Sequence, residues 1–223
     1  GREICFAYNE DTLTIVDVTD KSAPTQISRF SYSGVAYSHQ GGLAKSQRFI
    51  LLDDELDEQQ AGHKTKTYIL NVADLENPAL TGEFLGNSNA IDHNLYVEGD
   101  FAYQANYTAG LRILQLGDLA TMDLCEVASF DVYPDSDSAI FSGAWSNYPY
   151  FKSGIVAVMA IEGLALLRPD LANPGCVGTG EGSGQSWFAT APDRLSDQYL
   201  QIKSVLALPV GATLRFWHDY NFE

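Results

Sequence analysis

The chain is poor in cysteine, methionine and positive charge. Its 223 residues hold three Cys, two Met and four His. Thirteen Lys and Arg stand against 29 Asp and Glu, a formal net charge of −16. A chain of that sign has little with which to release phosphate counterions, so nucleic acid is not an expected partner. An anionic membrane surface is disfavoured for the same reason. No apolar run reaches the roughly 18 residues that a transmembrane helix needs, and no signal-peptide pattern opens the sequence. No CxxC pair occurs, which argues against a structural zinc or thioredoxin-type site. Cys5, Cys125 and Cys176 are an odd set, so at least one thiol is unpaired or has its partner elsewhere; the spacing leaves the pairing open. Helical 3.6-residue periodicity is nowhere sustained over three turns.

Aromatic and β-prone residues are plentiful. Hydrophobic residues make up 45% of the chain, enough for a packed core, and 12 Tyr and 11 Phe favour strands. The sequence opens at Gly1 directly into a strand-like segment, which points to processing or to a fragment. A repeat then runs along the chain. Residues 13–20 (LTIVDVTD), 67–74 (TYILNVAD) and 111–118 (LRILQLGD) are three copies of one pattern, and residues 164–170 (LALLRPD) are a looser fourth. Apolar segments precede the four copies at 5–8, 48–52, 101–105 and 155–160. Further apolar segments follow the first three at 25–30, 80–84 and 124–130. An innermost segment opens three units: SHQG at 38–41, DHNL at 92–95 and GAWS at 143–146.

Four short strands per repeat, separated by turn residues, predict propeller blades, because one such sheet cannot bury both of its faces alone. The fold class expected is therefore all-β: a partial β-propeller over residues 1–171, then the start of a β-sandwich. The first unit lacks an inner strand and the last lacks a clear fourth, so the ring is expected to be incomplete and its edges to need covering. Residues 172–186 read as a Gly-rich linker rather than a phosphate loop, since no helix or Lys follows the glycines. Residues 187–223 read as opening strands of the second β-domain.

The motif at 13–20 resembles the LVIVD repeat. Together with 38–41, the acidic stretch LDDELDE at 52–58, DHNLYV at 92–97 and GAWS at 143–146, it resembles the choice-of-anchor B proteins over residues 1 to about 171. That resemblance implies bacterial secreted or cell-surface proteins built on LVIVD-type propellers, with varied C-terminal anchors and no established enzymatic activity. It also implies further blades upstream. The tail, with WFA at 187–189 and FWH at 216–218, is similar to the opening of the MAM-like jelly-roll domains that follow some secreted bacterial peptidases. No HExxH motif accompanies it.

Four groups are candidates for chemistry. Asp53, Asp54, Glu55, Asp57 and Glu58 place five carboxylates in six residues, which suits Ca²⁺; the plainer alternative is a solvated loop. His39 and His93 occupy equivalent positions in successive units, where inner strands surround the propeller axis. Their imidazoles could converge on a metal such as zinc, with Asp92 orienting a ligand. Gln40, Asn94 and Trp145 share that segment, and Trp145 stands where a third His would be. The plainer alternative is hydrogen bonding to backbone within each blade. No GxSxG elbow occurs, Cys5 and Cys125 read as core, and Asp135 and Asp137 read as turn residues, so catalysis is not the leading expectation. Tyr96, Tyr103, Tyr107, Tyr148, Tyr150 and Phe151 read chiefly as packing between blades, with sugar or protein contact as the alternative. The reading is a non-catalytic extracellular scaffold or interaction module whose partner is a protein, a glycan or another copy of itself. The rival is a metal-dependent enzyme or metal-binding channel using His39 and His93.

Overall fold

Among the described residues, four antiparallel sheets follow one another along the chain, each built from consecutive strands. The computed structural model describes residues 1–172 and 174–176, all within one unit, Gly1–Phe188. Most of the glycine linker and the sandwich expected over 187–223 lie outside the described residues. Blade one holds β1 (Ile4–Tyr8), β2 (Leu13–Asp17) and β3 (Thr25–Phe30). Blade two holds β4 (Ser38–Leu43), β5 (Phe49–Asp54), β6 (Lys66–Asn71) and β7 (Ala79–Leu85), with a short helix α1 (Asp57–Ala61) after β5. Blade three holds β8 (Asn94–Glu98), β9 (Phe101–Ala105), β10 (Leu111–Leu116) and β11 (Leu124–Phe130). Blade four holds β12 (Ala144–Tyr148), β13 (Val156–Ala160) and β14 (Gly163–Leu167). This is a partial β-propeller. Among the described residues, no helix is long and apolar enough to cross a membrane.

The core lies between blades, and strand parity assigns each side chain to one interface. Along β5, Ile50 and Leu52 pack with Leu13 and Ile15 of blade one. Leu51 points the other way and packs with Leu95, Ala102 and Leu114 of blade three. In β6, Tyr68 and Leu70 join the first cluster while Ile69 joins the second. Successive side chains of a strand face opposite sides. A strand covered on both faces therefore reads as a continuous apolar run, and β5 is buried over its whole length.

The repeat extends to its irregularities. Bulges between Ile15 and Val16, Ile69 and Leu70, and Ile113 and Leu114 recur at one place in the first three blades. Two inner strands carry another kind: the register of β4 skips His39 and that of β12 skips Trp145. Gly41 and Gly42 let β4 pack closely against its neighbours. A Cβ on Gly41 would meet the Leu51 carbonyl and Tyr8, and one on Gly42 would meet Leu95 and Val97.

Three expectations are corrected. The acidic stretch is not a solvated loop: Asp53 and Asp54 end β5, Asp57 and Glu58 open α1, and all four are buried. Acidic residues in a first turn suit the positive end of a helix, and Gly62, at φ 71, stops it in the left-handed conformation. Cys5 is exposed rather than core, because its neighbours Ile4 and Phe6 take the face of β1 that packs on the core. Cys125 is half-buried on β11 and forms a disulfide with Cys176.

Truncating Ile50 to Ala is expected to destabilise the protein by about 2–5 kcal/mol, the range for fully buried aliphatic side chains. Urea unfolding measures this; a loss under about 1 kcal/mol would show that the interface between blades one and two collapses around the gap.

Candidate functional site

The start of an inner strand and the end of the next strand meet at one end of each blade. Ser38 pairs with Asp54 in blade two, and Asn94 pairs with Ala105 in blade three. His39 and His93 therefore stand at the same end as Glu55, which follows β5. The bulge at His39 takes that residue out of the ladder and re-aims its side chain, a common use of bulges beside functional sites.

The two imidazoles stack with ring centroids 4.5 Å apart. His39 Nδ1 donates to the His93 carbonyl at 3.1 Å, and His93 Nδ1 lies 2.6 Å from the Trp145 carbonyl. Each histidine thus holds the backbone of the next blade, at separations of 54 and 52 residues. Asn94 Nδ2 lies 2.6 Å from the same His93 Nδ1 and donates to the same Trp145 carbonyl at 2.8 Å. A carbonyl has no proton to give, so the His39 contact places a hydrogen on His39 Nδ1, whereas His93 Nδ1 stands between an acceptor, the Trp145 carbonyl, and a donor, the Asn94 amide nitrogen.

The other ring nitrogens face one carboxylate. His93 Nε2 lies 3.4 Å from Glu55 Oε1, and His39 Nε2 lies 3.9 Å from Glu55 Oε2. With Nδ1 protonated, a neutral ring aims its Nε2 lone pair at the carboxylate. Lone pair and carboxylate repel unless a proton or a cation stands between them. Burial pushes the His93 pKa down, against the imidazolium form, although the Trp145 carbonyl and Glu55 pull the other way and His39 adds to the lowering. Two stacked imidazolium rings would also repel. A dication held between the two rings and Glu55 would relieve this repulsion, and one ligand atom from each of the three residues lies within 4.8 Å of the others.

The surroundings orient this group. The Tyr107 hydroxyl donates to Glu55 Oε1 at 2.9 Å. Burial, then its bond to Glu55, holds the Tyr107 hydroxyl protonated well above its ordinary range. Tyr107 occupies a positive φ of 34°, strain of the kind that collects at functional sites. The rings of Tyr107 and Trp145 each lie 4.9 Å from that of His93.

The other expected site residues divide by role. Gln40 bonds the backbone of Leu95 in both directions, donating to its carbonyl at 2.7 Å and accepting its N–H at 2.5 Å. Gln40, Asn94 and the Trp145 backbone thus join blades. Asp92 is fully buried and has no bond to His93. Glu55, placed by sequence in the acidic stretch, belongs instead with the histidines. Tyr107 was missed as a partner of Glu55; its position two residues past β9 was the available signal, matching that of Glu55 just past β5. The aromatic set splits too: Tyr103 and Tyr107 are buried in packing, while Tyr148, Tyr150 and Phe151 are 40–48% exposed.

Comparison with known proteins agrees with the architecture. The LVIVD repeat model matches residues 4–31, the segment that forms blade one. The chain is a repeat protein of β-propeller type. A solved protein from Lactobacillus plantarum is 17% identical, with a TM-score of 0.52 over 74% of this chain and 52% of its own. A functionally unknown protein from Desulfotomaculum acetoxidans is 15% identical, with a TM-score of 0.45 over 72% of this chain and 55% of its own. The Cps50 (Swd1) β-propeller domain of Myceliophteria thermophila is 12% identical, with a TM-score of 0.46 over 76% of this chain and 52% of its own. The chain spans about half the length of these structures. No curated protein matches it.

The tautomers are directly measurable. In metal-free protein, long-range ¹H–¹⁵N correlation spectra are expected to show His39 and His93 with hydrogen on Nδ1. A neutral Nε2–H form of His93 would mean that Asn94 donates to its Nδ1, and would remove the lone-pair argument.

Proposed function

We propose that this chain is a metal-binding propeller module in which His39, Glu55 and His93 hold one divalent transition ion of the Zn²⁺ class. The observation that carries the reading is the pair of Nε2 atoms facing one carboxylate while both Nδ1 atoms lie against backbone carbonyls. Two imidazoles and a carboxylate are an established donor set for zinc, at about 2.0–2.2 Å from the ion. Backbone carbonyls that fix the ring tautomer are the usual outer support of such ligands. The ion would join blade two to blade three beside the propeller axis.

The wider role we propose is a non-catalytic scaffold on secreted or cell-surface proteins of the choice-of-anchor B group, with a MAM-like segment at 187–223. The Cys125–Cys176 disulfide supports an oxidising compartment. The exposed Trp145, Tyr148, Tyr150 and Phe151 support an interaction surface for a protein, a glycan or a second copy. A metal-dependent enzyme is the rival reading. Three protein ligands leave a tetrahedral position open, and the His39 side chain is 26% exposed.

Calorimetric titration of the chelator-treated full chain with Zn²⁺ is expected to show one site. His39→Ala and His93→Ala should each weaken it by more than about 100-fold, beyond the usual cost of losing an outer partner. Tyr107→Phe should weaken it by about 10–100-fold through Glu55. Unchanged zinc affinity in the histidine variants would refute the site.

A further inference from the structure

A second convergence lies in the segment between β5 and β6. Asp57 and Glu58 open α1, and His63 follows the glycine that ends it. The N–H of Gly62 donates to the Glu58 carbonyl at 2.9 Å, and its left-handed turn, at φ 71, folds the chain back. His63 thereby returns to the first turn of the helix, with its Nε2 3.5 Å from Asp57 Oδ2. One ligand atom from each of Asp57, Glu58 and His63 lies within 4.8 Å of the other two. Ligands held about 2.1 Å from one ion stand roughly 3–4 Å from each other. Asp57 and His63 already have that spacing.

Strand β6 steadies the two carboxylates. The Tyr68 hydroxyl donates to Asp57 Oδ2 at 2.8 Å, and the Lys66 backbone N–H to Glu58 Oε1 at 3.2 Å. Their second oxygens, Asp57 Oδ1 and Glu58 Oε2, are buried and have no donor among the described residues. The two residues are only 1% and 3% exposed. Among the described residues, no Lys or Arg pairs with either; Lys66 pairs with Glu83 instead, at 3.4 Å. His63 Nδ1 donates to the Lys64 carbonyl at 2.8 Å, so a neutral ring turns its Nε2 lone pair toward Asp57 as a competing acceptor. A proton on Nε2 would satisfy that contact alone and leave Asp57 Oδ1 and Glu58 Oε2 without partners.

Adjacent buried carboxylates with no cationic side chain are costly unless something positive stands among them. The rest of the acidic stretch goes elsewhere: Asp53 meets Gln104, Asp54 meets Tyr32, Ala36 and Tyr37, and Glu55 faces the histidines. What remains is a donor set of two carboxylates and one imidazole. The His63 side chain is 26% exposed, which gives an ion an entry path and room for water ligands on that side. Carboxylates and water suit Mn²⁺, and a single imidazole completes such a set. We infer that Asp57, Glu58 and His63 hold a divalent cation of the Mn²⁺ class, which clamps the two ends of α1 together beside β6. The His39–Glu55–His93 group offers two imidazoles to one carboxylate and shares no residue with this one, so either site can fail alone.

The test is a Mn²⁺ titration of the chelator-treated full chain with one equivalent of Zn²⁺ present, which goes first to the imidazole-rich group. Free Mn²⁺ is followed by its electron paramagnetic resonance signal. One bound Mn²⁺ per chain is expected, with spin-echo modulation from one imidazole nitrogen and a rise in melting temperature. His63→Ala should remove that nitrogen signature and weaken binding by more than about 10-fold, the least that losing even an outer partner costs. Glu58→Gln is the second variant and should weaken binding at least as far. His39→Ala, titrated without zinc, should keep its Mn²⁺ affinity while losing the zinc site. Loss of Mn²⁺ binding in that variant would move the ion to the histidine group and overturn this site. No binding up to about 10 mM Mn²⁺, beyond the weakest modules built on carboxylates, would overturn it too. So would undiminished binding in both His63→Ala and Glu58→Gln, or bound Mn²⁺ without the imidazole signature.

Discussion

Everything in this molecule depends on covering both faces of a four-stranded sheet at once. A single blade cannot do this, so each inner blade is sandwiched between its neighbours, and its middle strands lose their polar face. In β5 the alternation of the strand sends Ile50 and Leu52 to one interface and Leu51 to the other. The same close approach excludes side chains where β4 meets its neighbours, hence Gly41 and Gly42. It also brings backbone carbonyls of one blade within reach of side chains from the blade before it. Gln40, His39 and His93 each bond the backbone of the following blade. Blade packing and candidate chemistry therefore draw on the same contacts.

The histidine pair shows how a structural hydrogen bond becomes a chemical constraint. Had the Nδ1 atoms been free, each ring could have given an Nε2 hydrogen to Glu55 and the arrangement would be an ordinary polar network. Where a ring's Nδ1 hydrogen is engaged by a carbonyl, as at His39, a neutral ring's Nε2 faces the carboxylate as a competing acceptor. The conflict follows from joining the blades in this way. At the equivalent position of blade four, Trp145 supplies only its backbone carbonyl to His93, with its ring packed edge-on. The series closes there with an aromatic side chain in place of a third imidazole.

Much of the fold was legible in the sequence because the repeat is physical. LTIVD at 13–17, YIL at 68–70 and LRIL at 111–114 carry the same face assignments, and the strands fell where those patterns stood. The pairing of His39 with His93 was legible from equivalent positions in successive units. Glu55 was not assigned to them because it sits inside an acidic run, and a run hides which face each member takes. Tyr107 was hidden for a related reason: it follows β9 in a turn, outside the alternation that a strand imposes. The helix over Asp57–Ala61 is only five residues long, too short to leave a periodic trace. The Cys125–Cys176 disulfide joins β11 to a segment beyond β14, a contact that no local pattern encodes.

Strand parity also sorts the acidic run into three environments. Asp54 shares parity with Ile50 and Leu52, so it faces the cluster containing Tyr32, where a hydroxyl and two N–H groups satisfy it. Asp53 shares parity with Leu51, so it faces blade three and meets Gln104. Glu55 lies one step past the strand, where the turn frees it to reach the histidines. Three consecutive carboxylates thus enter three settings, one bonded by the Tyr32 hydroxyl and two backbone N–H groups, one buried beside Gln104, and one facing the histidines. A one-residue shift in the register of β5 would exchange the faces of Asp53 and Asp54. It would also turn Leu51 away from blade three, so the packing of the apolar residues holds the acidic ones in place. In this propeller, the hydrophobic register decides which blade interface each carboxylate of β5 faces.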